Sequence, residues 1–186
     1  MVQISIVNVV GHLDFRRELE LSAVADLLQQ SQYVSRVKYQ PSENHWLQTW
    51  FNSPSTQEER YVSFYRSGAA MATGCTSVNE FHELADRIIQ AMKPVVEDEV
   101  LRDVKNIVAT GTADTTYNLS QLAILLGLDA VEYEPEQFPG LMYRDQEQNC
   151  VFLVFASGKI VCTGLNNVKD TETALQEFTE ELLHTL

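Results

Sequence analysis

The feature that most constrains this chain is that it contains itself twice. Ile6-Val7-Asn8-Val9-Val10 matches Val104-Lys105-Asn106-Ile107-Val108 at an offset of 98 residues, and the same offset aligns LSAVADLL at 21–28 with LSQLAILL at 119–126. Further along, Tyr39-x-Pro41 matches Tyr133-x-Pro135 at an offset of 94, and Ser67-Gly68 with Thr73-Gly74 match Ser157-Gly158 with Thr163-Gly164 at an offset of 90. The offset falls in two steps of four, so the first copy carries two four-residue insertions, near 29–37 and near 52–60, the second being the polar run NSPSTQEER. Insertions of that composition belong in surface loops. The expected organisation is two like units, 1–93 and 94–186, joined by KPVVEDE at 93–99.

Each copy reads the same way. A strand with Ile4, Ile6, Asn8 and Val10 on one face leads into a short apolar helix, 21–28 in the first copy and 119–126 in the second. Strand patterns follow at 34–39, 46–51, 61–65 and 69–73, with counterparts in the second copy. A second helix closes the unit. Ser77-x-x-Glu80 is a capping-box pattern at its start, with Phe81, Leu84, Ala85, Ile88 and Met92 at core spacing. Asn167-x-x-Asp170 precedes the counterpart, whose core positions are Val168, Ala174, Leu175, Phe178, Leu182 and Leu186. The expectation is an α+β fold of two pseudo-symmetric β-α-β4-α repeats, forming one curved ten-stranded antiparallel sheet with four helices on its convex face. The other sheet face is then bare, and a bare sheet face of that size is a binding surface or a liability.

Composition narrows what such a surface meets. With 186 residues, 45% of them hydrophobic, the chain buries a core without staples. It has no apolar run long enough to cross a bilayer and no secretion signal, which points to a cytoplasmic protein with no membrane partner. Cys75, Cys150 and Cys162 are too scattered for a zinc site and odd in number, so they read as small buried hydrophobes, and no metal or cofactor is expected. His12, His45, His82 and His184 are dispersed, and Ser157-Gly158-Lys159 lacks phosphate-loop spacing, so an enzyme with a small-molecule substrate is not indicated.

A net charge of −13 argues against a nucleic-acid partner, but its distribution is uneven. Residues 1–93 hold 8 basic and 10 acidic groups, whereas 94–186 hold 5 and 16. Acid gathered in one half leaves room for a neutral binding face, and so acidic a surface is what a high-salt cytoplasm selects for solubility.

The most informative stretch lies at 133–164. YEPEQFPGLMYR and LVFASGKIVCTG place Phe138 and Phe155 at strand or loop edges, each next to a turn signal, Pro139-Gly140 and Ser157-Gly158. A phenylalanine beside a turn is poorly placed for a core and well placed to protrude. Together with VKNIVAT and the closing helix, this stretch resembles the TATA-box-binding protein family, archaeal type, in its two-repeat core. The likeness spans the whole chain and is looser in the first repeat.

That resemblance implies a factor that grips the minor groove of double-stranded A·T-rich promoter DNA on the bare face, bends it and recruits transcription factor B. Minor-groove edges of A·T pairs offer only acceptors, so an amide donor flanked by small apolar side chains suits them and excludes G·C. Asn8 and Asn106 match that donor pair, with Val10 and Val108 beside them, and Thr73, Thr163, Met71 and Val161 match other groove-lining positions. Phe138 and Phe155 match the wedges that insert between base steps, and Arg144 and Lys159 match phosphate contacts. Glu134, Glu136 and Gln137 match the loop on which transcription factor B docks. A protein of this kind works at the nucleoid.

The first repeat departs from the pattern. Tyr65 stands for Phe155, with a hydroxyl that resists burial in a base stack; Asn44 stands for Phe138, with Trp46 two residues on; Ala69 stands for Lys159. The competing expectation is therefore a diverged paralogue that acts mainly through transcription factor B or a regulator and grips DNA poorly.

Overall fold

The structure, a computed structural model, describes residues 3–96 and 99–185. Leu186, and Glu97 and Asp98 in the join, lie outside the described residues. The elements follow the repeated order: β1 (Ser5–Asp14), α1 (Leu21–Gln29), β2 (Val34–Lys38), β3 (Trp46–Asn52), β4 (Glu59–Tyr65), β5 (Ala69–Cys75), α2 (Val78–Met92), then β6 (Leu101–Thr112), α3 (Leu119–Leu126), β7 (Val131–Glu132), β8 (Gly140–Asp145), β9 (Cys150–Phe155), β10 (Lys159–Leu165) and α4 (Val168–Thr185). The ten strands form one antiparallel sheet in the order β2-β3-β4-β5-β1-β6-β10-β9-β8-β7.

The chain packs as two compact units whose division falls inside β1 and β6. One unit is Asn8–Lys105; the other is Met1–Val7 with Asn106–Leu186. The sequence repeat divides at 93 and 94, so each repeat's first strand starts in one compact unit and finishes in the other. Ile4 and Ile6 accordingly pack against the core of the second unit.

The first unit's core is built on period-two alternation. In β3, Leu47 and Phe51 are fully buried while Trp46, Gln48 and Trp50 on the opposite face are half-exposed. In β4, Val62 and Phe64 are buried, and Phe64 lies between Phe15 and Phe51, its ring centroid 6.1 Å and 6.5 Å from theirs. Helix α2 lays Phe81, Leu84, Ala85, Ile88 and Met92 on this layer, all fully buried as their spacing predicts.

The capping-box pattern at the start of α2 is half realised. Ser77 Oγ accepts from the Glu80 backbone N–H at 3.0 Å, but the Glu80 carboxylate turns away from Ser77. It accepts instead from Ser53 Oγ, Arg60 Nε and the Thr76 N–H, each at 2.7 Å. A buried carboxylate needs several donors and a cation, and the pair with Arg60 supplies what one backbone N–H could not.

The second unit repeats the plan with a stacked aromatic core. Phe178 of α4 lies on Phe152 of β9 at 4.0 Å and on Tyr143 of β8 at 5.4 Å, with planes near parallel. Ala174, Leu175 and Leu182 are buried beside it, as the helical spacing predicts. Asn167 Oδ1 caps α4 by accepting from the Asp170 N–H at 3.2 Å. All three cysteines are free and buried, Cys150 and Cys162 side by side in this core; burial pushes the Cys75 thiol up to about 12.

Candidate nucleic-acid interface

Alternation that buries one set of side chains leaves the other set on the sheet face away from the helices. In the second unit that open face carries Asn106 and Val108 on β6, Lys159, Val161 and Thr163 on β10, Val151, Leu153 and Phe155 on β9, and Gly140, Met142 and Arg144 on β8. The pairings Val161 with Leu153, Thr163 with Val151, Leu153 with Met142 and Phe155 with Gly140 tie these positions into one surface. In the first unit the equivalent face carries Asn8, Val10, Met71, Thr73, Tyr61, Tyr65, Trp46, Gln48 and Trp50. All eleven residues expected to line the face or grip phosphate from a strand lie on it: Asn8, Val10, Tyr65, Met71, Thr73, Asn106, Val108, Arg144, Lys159, Val161 and Thr163.

Each asparagine is oriented by a backbone amide from a neighbouring strand. Asn8 Oδ1 accepts from the Gly74 N–H at 2.8 Å, and Asn106 Oδ1 accepts from the Gly164 N–H at 2.8 Å. Thr163 Oγ1 lies 3.0 Å from Asn106 Nδ2. Gly74 and Gly164 have φ of 95° and 110°, in the left-handed region that only glycine enters freely, at places where the β5 and β10 ladders slip register. The bulge turns the N–H onto the amide oxygen, which leaves Nδ2 as the group each asparagine has to offer. The recurrence of Thr-Gly at the same offset was the signal for this pair of clamps, but nothing local ties it to an asparagine 66 or 58 residues away.

Phe138 sits in the loop between β7 and β8, 39% exposed, and Phe155 ends β9. Their rings meet edge to face with centroids 5.8 Å apart. Gly140 makes this possible: a Cβ there would stand 2.7 Å from Phe138 Cε1 and 3.1 Å from Phe155 Cε1. The same turn presents Glu134, Glu136 and Gln137 to solvent, closed by bonds from the Gln137 and Phe138 N–H groups to the Glu134 carbonyl, each 2.9 Å.

Arg144 is not idle on this face. Its guanidinium lies 3.0 Å from Glu132 Oε1 of the edge strand, in an exposed pair. A phosphate reaching Arg144 competes with that carboxylate, whereas Lys159 is exposed at the start of β10.

The first unit keeps the backbone and changes the side chains. The Glu43 and Asn44 N–H groups both bond the Gln40 carbonyl at 2.9 Å, the same turn that Gln137 and Phe138 make, so Asn44 occupies the place of Phe138. Trp46 pairs with Tyr65 as Gly140 pairs with Phe155, so an indole stands where the second unit needs no side chain. Trp46 Nε1 donates to Tyr61 Oη at 3.2 Å, and the buried Ser63 hydroxyl lies 3.3 Å from Tyr65 Oη. Ala69 pairs with Asp14 as Lys159 pairs with Thr112.

Among the described residues, no helix is long and apolar enough to cross a membrane and no group of three His, Cys, Asp or Glu gathers as a metal site.

Comparison with known proteins converges on one family. The family model described as transcription factor TFIID (or TATA-binding protein, TBP) matches residues 3–95 and 102–185. The chain is 38% identical to TATA-box-binding protein 2 of Haloferax volcanii over 96% of its own length and 92% of that protein's. It is 40% identical to TATA-box-binding protein C of Halobacterium salinarum, over 92% and 91% of the two chains. Among solved structures, Methanococcus jannaschii TBP superposes with a TM-score of 0.77 at 31% identity, covering 96% of this chain and 97% of that one.

Proposed function

Because this chain belongs to the TATA-binding protein family, whose members are DNA-binding transcription factors and not enzymes, we propose that it binds the minor groove of A·T-rich promoter DNA, bends it and recruits transcription factor B. The observation that carries this reading is the matched pair of clamped asparagines. Oriented by Gly74 and Gly164, Asn8 and Asn106 each present an amide donor between small apolar side chains. A surface of donors among valines, methionine and threonines satisfies the acceptor-only edge of A·T pairs and leaves no room for the guanine amino group.

Bending follows from the Phe138 and Phe155 pair. A phenyl edge entering a base step unstacks it at a cost of a few kcal/mol, offset by the larger surface that a bent duplex lays on the sheet. Lys159 and Arg144 meet phosphates beside the wedge, and Glu134, Glu136 and Gln137 on the wedge loop form the docking point for transcription factor B. Acidic side chains there cannot compete for DNA, so the loop serves a protein carrying complementary basic groups.

A second reading has its own observation. With Asn44, Ala69 and a pinned Trp46, the first unit lacks a wedge, which suits a diverged paralogue acting mainly through transcription factor B or a regulator. Mobility shifts on a TATA duplex from low to molar salt, with and without transcription factor B, separate the two. Specific binding lost in Phe138→Ala/Phe155→Ala supports the first; equally weak binding of both proteins at every salt refutes it. Glu134→Arg/Glu136→Arg should abolish the ternary band and leave the binary one.

A further inference from the structure

The two units differ in how they can hold a duplex, in three places that the sheet register makes directly comparable. At the wedge, the second unit has Phe138 on the loop and Gly140 on the strand beneath it; the first has Asn44 and Trp46. The aromatic ring has moved from the protruding loop onto the sheet floor, where its Nε1 donates to Tyr61 Oη. Tyr61 in turn packs edge to face against Trp50 at 5.4 Å, and Tyr65 is held to Ser63. These rings form a floor on which Trp46 is tied to Tyr61 and Tyr65 to Ser63 by hydrogen bonds.

At the outer edge the charge is reversed. Glu132 pairs with Met142 as Lys38 pairs with Gln48, and the residue before Val131 is Ala130 where the first unit has Arg36 before Val37. Arg36 stacks over the Trp50 ring with its Cζ 3.7 Å from the centroid, and Lys38 shares Glu43 at 4.0 Å. A guanidinium held over an indole face keeps N–H groups free for a phosphate, which it can contact in bidentate fashion. Trp50 itself stands where the second unit has Arg144.

From these differences, and resting on the promoter-binding reading above, we propose that the first unit holds the duplex without unstacking it, on an aromatic floor railed by Arg36 and Lys38, and that DNA is kinked at one base step only, by Phe138 and Phe155. The wedge deleted from the first unit is replaced by charge at its edge, so grip is kept while the second kink is not.

The test reads unstacking and bending on a TATA duplex that carries 2-aminopurine at both ends of the element and a fluorophore pair at its termini. Wild-type protein should unstack one labelled step per bound molecule; two unstacked steps overturn the inference. Phe138→Ala/Phe155→Ala, at concentrations that saturate the duplex, should leave it straight, whereas retention of about half the bend shows a second wedge. Asn44→Phe/Trp46→Gly, folded by its melting curve, should bring a second unstacked step, and its absence overturns the inference. Arg36→Ala/Lys38→Ala should shift the slope of log affinity against log salt by about 2 in the positive direction, one for each phosphate that the variant no longer neutralises; an unchanged slope removes the rail. If wild-type protein fails to bind the duplex at every salt, the promoter-binding reading falls and takes the single kink with it.

Discussion

Phe138 and Phe155 meet edge to face, their planes at 68° and centroids 5.8 Å apart, over a glycine that has no room for a methyl group. The pair is one object assembled from a loop and a strand end, and Gly140 is its third member. Substituting Gly140→Ala should drive the flexible phenyl of Phe138 off Phe155. Since the obstacle is a ring end and not backbone, stability should change little, while TATA affinity falls toward that of Phe138→Ala. Removing both rings should weaken binding by about 10- to 100-fold, at about 1–3 kcal/mol for a stacked base. Mobility shifts beside thermal melts check both.

The clamp on Asn106 holds its amide oxygen on the Gly164 N–H and leaves Nδ2, which also reaches Thr163 Oγ1, as its donor, so Asn106→Asp is a sharper probe than alanine. One carboxylate oxygen keeps the Gly164 N–H while the other faces the groove where Nδ2 was. An acceptor aimed at base acceptors costs about 1–3 kcal/mol or more of binding, with the fold intact. The expected result is at least about a tenfold loss of TATA affinity and little change in melting temperature. Asn8→Asp, held by Gly74, should behave alike.

Glu80 predicts how the first unit responds to acid. Burial pushes its carboxyl up, but the donors Ser53, Thr76 and Arg60 outweigh burial and hold it below the usual carboxylate range. A group depressed in the folded state contributes stability above its unfolded pKa, and that contribution is lost as pH falls through the folded value. Urea midpoints should therefore drop on acidification below about pH 4.5, and Glu80→Gln should flatten that limb. Glu80→Ala, leaving Arg60 buried with Glu58 alone beside it, should cost about 3–5 kcal/mol at neutral pH.

Salt should act unlike it does on a basic DNA-binding protein. Phosphate contacts normally lose affinity as salt rises. With a net charge of −13, most of it in residues 94–186, the general repulsion must be screened first. Wild-type affinity for TATA DNA is expected to stay flat or rise from low to molar salt; a steep conventional decline would contradict this. The single-kink measurements compare slopes between variants, so they hold whichever sign the wild-type slope takes.

The repeat and the order of its elements were legible in the sequence because they rest on local periodicity. An apolar residue at every third or fourth position of α2 declares its buried side without reference to the rest of the chain. The Tyr-x-Pro offset alone put Asn44 at the place of Phe138, and the turn hydrogen bonds agree. What was not legible depends on strands that meet far apart in the chain. No local pattern pairs Asn8 with Gly74, turns Glu80 from its capping box to Arg60, sets Glu132 on Arg144, or puts Trp46 at the register of a glycine. Nor does the sequence show that the two compact units divide within β1 and β6. The sequence by itself determined what was repeated and which side chains leave water; only the tertiary structure decided what those side chains touch, because ladder register and bulges across 58 to 66 residues of chain set the hydrogen bonds that orient them.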